Sequence, residues 1–264
     1  MRIALPDGAD LEVHVEGHGP DLLLVSGLGG TAGFWGPVVE RLSDSFRTIR
    51  FDQRGIGDSS RGTAPCTIAQ LAEDCLAVLD RCGPGKALMA GHSTGGCIVQ
   101  SLAARAPDRV AGLILSGAWG RRSTYLTTLF RHRLALLRAA PREYASIGVF
   151  LSYPPEFLER NWSIHDAALD QAPARQETFD IVAERIEALL SFDGGDGFAS
   201  LTFPCLVVGA KDDLVVPAYL QRELADLLPD ARLHMMPRGG HFFPITRADA
   251  FSYLFRSWAG SAVR

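Results

Sequence analysis

Short apolar runs alternate with helix-patterned segments along most of this 264-residue chain. Several runs are apolar at successive positions, which is typical of parallel strands that are covered on both faces. Their alternation with amphipathic helices predicts an α/β fold with a mostly parallel sheet between two layers of helices. Residues 2–16 are expected to add an antiparallel hairpin at one edge. The six predicted runs cover residues 21–25, 47–51, 87–90, 111–115, 206–208 and 231–236.

The strongest helix signal begins at Thr67. An apolar stripe at helical spacing follows it, Thr67 and Gln70 fit a capping box, and Gly83 is expected to end the helix. Such a helix fits between the second and third predicted runs, as a doubly wound sheet requires. Further core helices are predicted after Phe34, after Gly95, and over residues 217–228 and 246–258.

The alternation stops between Trp119 and Leu201. About 80 residues there have helical patterning and no convincing strand run, whereas a connection between strand and helix usually needs roughly 2 to 6. We therefore predict an inserted helical cap, with the glycine-rich residues 194–197 as its exit hinge. The predicted domains are 1–119 for the first part of the core, 120–200 for the cap and 201–264 for the second part of the core.

Charge and cysteine content argue against several classes of function. The chain has 26 lysines and arginines against 30 aspartates and glutamates, and it has no basic block, so nucleic-acid binding is not expected. No apolar run approaches the roughly 18 residues of a membrane helix, and the first residues lack a signal-peptide core, so a cytoplasmic location is expected. The five cysteines contain no CxxC pair, so a metal site is not expected. The thiols are expected to be reduced. A monomer and a homodimer fit equally well.

The pentapeptide Gly91-His92-Ser93-Thr94-Gly95 lies between a predicted strand and a predicted helix. A GxSxG sequence in this setting is typical of a sharp turn that exposes a nucleophilic serine. The flanking glycines suit a turn too tight for side chains. The same five residues also fit a tight turn without a catalytic role.

A serine nucleophile needs a base, and the base needs an acid that orients it. Of the seven histidines, His241 follows the last predicted strand in a loop, which would place it at the same sheet edge as Ser93. Asp212 and Asp213 follow the preceding predicted strand at that edge. The resulting chain order of serine, aspartate and histidine is the order known for α/β-hydrolases.

Five motifs occur in a fixed order, namely SGLGG at 26–30, DQRGIGDS at 52–59, GHSTGG at 91–96, DDLVVP at 212–217 and GGH at 239–241. Together they resemble the α/β-hydrolase fold superfamily over nearly the whole chain. The resemblance implies an eight-stranded, mostly parallel sheet with a helical cap, and a hydrolase that needs no cofactor. It assigns the acid to Asp213, with Asp212 as the alternative, and the oxyanion hole to the N–H groups of Leu28 and Thr94. The family's usual histidine is replaced here by Ser26.

Within this superfamily the chain resembles a group of small enol-lactonases and aminoacrylate hydrolases. The pieces that carry this likeness are SGLGG at 26–30, DQRG at 52–55, GAW at 117–119, FLSYP at 150–154 and LPD at 228–230. The likeness implies hydrolysis of a small carboxylic ester or lactone through an acyl-enzyme. The alternatives are hydrolysis of a C–N bond in an aminoacrylate, carbamate or amide, hydrolysis of a C–C bond, and a small-molecule receptor on the same fold.

The cap is expected to select the substrate. Substrates of that group often carry a carboxylate, so Arg121, near the start of the cap, is a candidate for binding one. A solvated position on a helix face is the alternative for Arg121. Trp119 and Tyr153 are candidates to line an apolar substrate pocket, with a place in the core as the alternative.

Overall fold

The computed structural model describes residues 1–83, 85–172, 176–194, 197 and 201–262. In this part of the chain a single sheet has eight strands in the order β1-β2-β4-β3-β5-β6-β7-β8. The pairs β1–β2 and β2–β4 are antiparallel, and all the other pairs are parallel. The predicted fold class and edge hairpin are therefore confirmed. The strands are β1 (Arg2–Ala4), β2 (Asp10–Glu16), β3 (Asp21–Val25), β4 (Arg47–Phe51), β5 (Ala87–His92), β6 (Val110–Ser116), β7 (Cys205–Ala210) and β8 (Ala231–Met236).

Helices cover both faces of the sheet. Successive side chains of a strand point to opposite faces, so Leu23 and Val25 of β3 belong to one apolar cluster, and Leu22 and Leu24 to the other. The first cluster includes side chains of α2, α3 and α9, and the second includes side chains of α1, α10 and α11. The core helices are α1 (Gly36–Leu42), α2 (Ile68–Cys82), α3 (Thr94–Arg105), α9 (Ala218–Leu227), α10 (Phe243–Thr246) and α11 (Ala248–Ala262).

The helix predicted from Thr67 forms as α2, but only half of its capping box does. The Thr67 hydroxyl accepts a hydrogen bond from the Gln70 N–H at 3.0 Å. The Gln70 side chain does not reach back to Thr67 and instead donates to Asp74 at 3.1 Å. Asp74 is buried on α2 because it pairs with the buried Arg54 at 2.6 Å. The Arg54 pair ties the turn after β4 to this helix.

The segment between β6 and β7 is helical, as predicted. Gly194, from the predicted hinge, donates its N–H to Gly120 O at 3.0 Å, so the two ends of the insert meet. Gly195 and Asp196 of that hinge lie outside the described residues, and the domain boundaries stay a prediction. The insert consists of α4 (Thr124–Ala139), α5 (Pro141–Ser152), α6 (Pro155–Leu158), α7 (Ser163–Asp170) and α8 (Gln176–Ser191).

All five cysteines have free thiols. Cys75, Cys97 and Cys205 are buried, and burial raises the pKa of the Cys205 thiol to about 12. These thiols are therefore protonated and unreactive at neutral pH. A separate observation concerns the helices: within the described residues, none is both long and apolar enough to span a bilayer.

Candidate active site

Ser93 lies on a sharp turn between β5 and α3. Its φ and ψ are 54° and −122°, and among the described residues no other non-glycine residue has a positive φ. Strain of this kind costs about 1–3 kcal/mol and persists only where the surroundings enforce it. Here the Ser93 N–H donates to Ser116 O at 2.8 Å, and a Cβ at Gly91 or Gly95 would collide with nearby backbone carbonyls. The sequence therefore builds the predicted elbow at the carboxyl edge of the sheet.

His241 and Asp213 form a buried hydrogen-bonded pair. The distance from His241 Nδ1 to Asp213 Oδ2 is 2.9 Å. Since a carboxylate accepts, Nδ1 carries the proton and Nε2 is left as an acceptor. The other oxygen, Asp213 Oδ1, accepts the N–H groups of Val215 and Val216 at 2.8 Å each. These two bonds orient the carboxylate toward His241 and compensate for its burial.

Asp212 serves the same histidine in another way. Its two carboxylate oxygens accept the backbone N–H groups of Gly239 at 3.1 Å and Gly240 at 3.0 Å. These two glycines immediately precede His241, and both have positive φ. Asp212 is therefore an anchor for the turn that carries His241, and Asp213 is the carboxylate that contacts the imidazole.

Ser93 and His241 line the same cavity. Within the described residues Ser93 Oγ makes no hydrogen bond, and catalytic bonds of this kind often tighten only when substrate binds. The ring of His92 lies 4.7 Å from that of His241, centroid to centroid. Burial, together with the neighbouring His241, holds the pKa of His92 well below its ordinary value. His92 thus stays neutral and does not oppose a proton on His241.

The loop after β3 brings the predicted oxyanion donors close to the serine. A Cβ on Gly27 would lie 3.1 Å from Ser93 Cβ, so the loop and the elbow are in near contact. Among the described residues, the N–H groups of Leu28 and Thr94 have no acceptor. Both donors are thus available to a ligand oxygen, as an oxyanion hole requires.

The loop that begins at Ser26, where the resemblance implies a histidine, is held by Gln53 and by the cap. Gln53 Nε2 donates to Ser26 O at 2.7 Å, and the Gln53 N–H donates to Gly30 O at 2.9 Å. Arg185 of α8 donates to the carbonyls of Gly27 and Leu28. The loop carbonyls are therefore held from the side of Gln53 and the cap.

A cavity of about 550 Å³ lies between the carboxyl edge of the sheet and the cap. Its core wall includes Leu28, Ser93 and His241, and its cap wall is mainly apolar. That volume suits a small molecule. The cap residues in its wall include Phe130, Arg133, Tyr144, Ala145, Gly148, Val149, Ser152, Tyr153, Ala168 and Val182.

Of the three residues expected to contact substrate, only Tyr153 lines this cavity. Trp119 is 2% exposed and packs edge-on against Phe192, so its side chain belongs to the apolar core. Arg121 is exposed at the start of the cap and does not line the cavity. Neither Trp119 nor Arg121 therefore lies where it can contact a molecule in this cavity.

Two cap arginines near the carboxyl edge of the sheet were not predicted from the sequence. Arg133 lines the cavity, and Arg185 is buried against the oxyanion loop. Both interrupt an apolar face of a helix: Arg133 follows Phe130 by three residues, and Arg185 precedes Leu189 by four. A cation within an apolar helical stripe is the signal that marks both residues, and it is hard to recognise in a cap rich in arginine.

Comparison with known proteins agrees with this geometry. A family model described as alpha/beta hydrolase fold matches residues 20–248. A protein of Azorhizobium caulinodans named "Putative carbamate hydrolase RutD" is 36% identical over 261 residues, which is 98% of both chains. A protein of the same name from Variovorax paradoxus is 36% identical over 92% of this chain and 94% of its own.

The solved structures include an enol-lactonase from Burkholderia xenovorans LB400. It is 26% identical to this chain, with a TM-score of 0.88, and the match covers 98% of this chain and 100% of the other. The sheet topology, the helical insert and the match to the family model all indicate the same fold. The chain therefore belongs to the α/β-hydrolase fold family and is a hydrolase of that family.

Proposed function

We propose that this hydrolase cleaves a C–N bond in a small substrate of the carbamate or aminoacrylate type, with Ser93, His241 and Asp213 as its catalytic groups. The observation that carries the proposal is the 36% identity, over 98% of both chains, to a relative named as a carbamate hydrolase. That match includes the cap, which supplies one wall of the cavity, so it bears on the substrate as well as on the fold. The alternative of C–N cleavage is therefore favoured over the ester or lactone expected first.

For a carbamate, the proposed chemistry is acyl transfer through an acyl-enzyme. Ser93 Oγ attacks the carbonyl carbon while its proton passes to His241 Nε2, and the N–H groups of Leu28 and Thr94 hold the resulting oxyanion. Collapse breaks the C–N bond, and the nitrogen leaves with the proton from His241. Water then attacks the acyl-enzyme, with His241 taking its proton and returning it to Ser93.

An aminoacrylate presents a different electrophile in the same place. The carbon bonded to nitrogen becomes electrophilic in the imine tautomer, so water can add to it with His241 as the base. The carbinolamine then loses ammonia as a carbonyl group forms. Either substrate releases ammonia or an amine, which gives both a common readout.

Arg133 is the group we propose for a substrate carboxylate. It is the one lysine or arginine among the described residues of the cavity wall, which includes no aspartate or glutamate. Its guanidinium carbon lies 4.7 Å from the ring centroid of Tyr144 and 5.5 Å from that of Phe130. Its buried Nε has no hydrogen-bond partner within the described part of the chain. The aromatic rings fix the cation, and its donors remain available to an anion.

Replacing Arg133 with glutamine should weaken the selection of acidic substrates. A charge-assisted hydrogen bond contributes about 1.5–3 kcal/mol, so we expect kcat/KM for 4-nitrophenyl hydrogen succinate to fall roughly 10- to 100-fold, mainly through KM. The neutral analogue 4-nitrophenyl butyrate lacks the carboxylate and should change less than about 3-fold. Steady-state kinetics on both esters measures the difference.

Arg131→Gln is the matched control, because Arg131 is exposed on the same helix and does not line the cavity. Arg131→Gln should leave unchanged the ratio of kcat/KM for 4-nitrophenyl hydrogen succinate to kcat/KM for 4-nitrophenyl butyrate. Equal losses on the acid and on the neutral ester in Arg133→Gln would refute the carboxylate role and leave the bond specificity open to the next test.

The C–N specificity is tested by comparing matched substrates for the two kinds of bond. We expect carbamates and 3-aminoacrylate to release ammonia or amine with a kcat/KM at least about 10-fold above that for enol-lactones and esters of similar size. A coupled ammonia assay follows the first group and absorbance follows the second, with protein-free reactions as the blank for spontaneous hydrolysis.

A second candidate is hydrolysis of a small enol-lactone or ester. The likeness to the Burkholderia enol-lactonase, at 26% identity over nearly the full length of both chains, supports it. Faster turnover of enol-lactones than of every C–N substrate would select this second candidate.

A further inference from the structure

Arg185 of α8 is a buried cation that reaches from the cap to the oxyanion loop. Its side chain is 2% exposed. Nε donates to Leu28 O at 2.8 Å, and Nη2 donates to Gly27 O at 3.1 Å and to Gln53 Oε1 at 2.7 Å. No carboxylate pairs with it among the described residues. The neighbouring Glu184 pairs instead with Arg61 at 2.6 Å.

The contact with Gly27 has a direct geometric effect on the oxyanion hole. The carbonyl of Gly27 and the N–H of Leu28 belong to one peptide unit, which is planar and trans, so the two groups point in opposite directions. Fixing the Gly27 carbonyl on Arg185 therefore aims the Leu28 N–H away from Arg185, in a loop that is in near contact with the elbow of Ser93. A hydrogen bond to the carbonyl also polarises the peptide and strengthens its N–H as a donor.

Burying a cation without a carboxylate is costly, which makes its position informative. Burial lowers the pKa of Arg185 from its ordinary value, yet a guanidinium keeps its charge in a protein. Three acceptors offset part of the cost, while Nη1 has no partner within the described residues. A positive charge behind the hole would favour the negative charge that develops in the transition state.

We propose that Arg185 is the positioning residue of the oxyanion hole, so that the hole is complete only while α8 is seated against the loop at Gly27 and Leu28. This inference rests on the proposed function, because it takes Ser93 as the nucleophile and Leu28 as a donor. It makes the cap part of the catalytic apparatus as well as a wall of the cavity.

The test compares Arg185→Met with the wild-type protein. Loss of one oxyanion donor typically costs a factor of about 100 to 1000 in kcat. We therefore expect kcat for 4-nitrophenyl hydrogen succinate to fall at least about 100-fold, with KM changed less than about 3-fold. The rate at which ethyl 4-nitrophenyl methylphosphonate labels Ser93 should fall by a similar factor, since the phosphoryl oxygen on its tetrahedral phosphorus occupies the same oxyanion hole.

Glu184→Gln is the matched control. It breaks the adjacent contact between cap and core, to Arg61, and does not touch the loop. We expect its kcat and its labelling rate to stay within about 2-fold of wild type. Arg185→Lys keeps a charge but not the fork of donors, and it should lose about 10-fold in kcat at unchanged KM. This variant decides the question if Arg185→Met does not fold.

Two results would overturn the inference. The first is a folded Arg185→Met or Arg185→Lys protein whose kcat and labelling rate equal those of wild type. The second is a parallel loss in kcat and in 1/KM that Glu184→Gln shows as well. The proposed function fails in a separate way, if the phosphonate leaves wild-type Ser93 unlabelled. Labelling of wild-type Ser93 at the same rate as in the Arg185 variants would overturn only the role of Arg185.

Discussion

Ser93→Ala should reduce kcat for a carbamate or an ester by about 10⁶-fold and leave the protein folded. In the proposed acyl-transfer mechanism the substitution removes the atom that attacks the carbonyl carbon, while the proposed oxyanion donors at Leu28 and Thr94 stay in place. Ser93 Oγ makes no hydrogen bond within the described residues, and the backbone bond to Ser116 O does not need the side chain. Alanine at a φ of 54° bears the same Cβ strain as serine. Thermal unfolding should therefore show a midpoint close to that of wild type.

Two further measurements make this result specific. Phosphonate should label wild-type protein at residue 93, found by mass spectrometry, and should leave Ser93→Ala unlabelled. Ser252→Ala is the control, because Ser252 is also buried but lies on α11, and its hydroxyl has no partner in the described structure. Near-normal turnover by Ser93→Ala, with the Ser252 control active, would exclude a serine mechanism.

Asp213→Asn should reduce kcat by about 10⁴-fold, equivalent to about 5.4 kcal/mol in activation free energy. The reason lies in the bonds around the carboxylate. Oδ1 accepts two backbone N–H groups, from Val215 and Val216, so an asparagine must place its oxygen there. Its NH₂ group then faces His241 Nδ1 and donates to it. That tautomer carries its proton on Nε2 and cannot take one from Ser93.

Asp212→Asn provides the comparison at the adjacent position. An asparagine at 212 keeps one oxygen for one of the N–H groups of Gly239 and Gly240 and loses the other bond, and residue 212 does not contact the imidazole. We expect kcat to fall less than about 10-fold. A larger loss in Asp212→Asn than in Asp213→Asn, measured under the same conditions, would reverse the assignment of the two carboxylates.

Strand positions were predictable for the buried strands β3 and β4, which coincide with the runs at 21–25 and 47–51. The run at 231–236 also coincides with β8, although β8 lies at the edge of the sheet and most of its residues are exposed. The run at 87–90 stops two residues short of β5, because Gly91 and His92 continue the ladder with β6 although they do not continue the apolar run. Hydrogen-bond pairing set that boundary, and side-chain hydropathy did not reveal it.

Much of the candidate site was predictable because its motifs are local in sequence. The elbow at Ser93 and the loop before His241 each require glycines within a few residues, and such spacings can be read directly from the chain. The contact between Arg185 and Gly27 joins residues 158 positions apart. It depends on how α8 packs on the core, and a helical apolar stripe gives the face of a helix but not its neighbour. The cavity wall, with Arg133 in it, was hidden for the same reason.

The closure of the insert between Gly120 and Gly194 also matters for how the chain reaches its fold. Pairing of β6 with β7, for example Leu113 with Cys205, closes a loop of about 90 residues, and this entropic cost rises by about 0.6 kcal/mol for each doubling of loop length. If the insert folds first, its joined ends shorten the effective loop to about 20 residues, which lowers the cost by roughly 1.3 kcal/mol. Early folding of the cap would then speed completion of the central sheet.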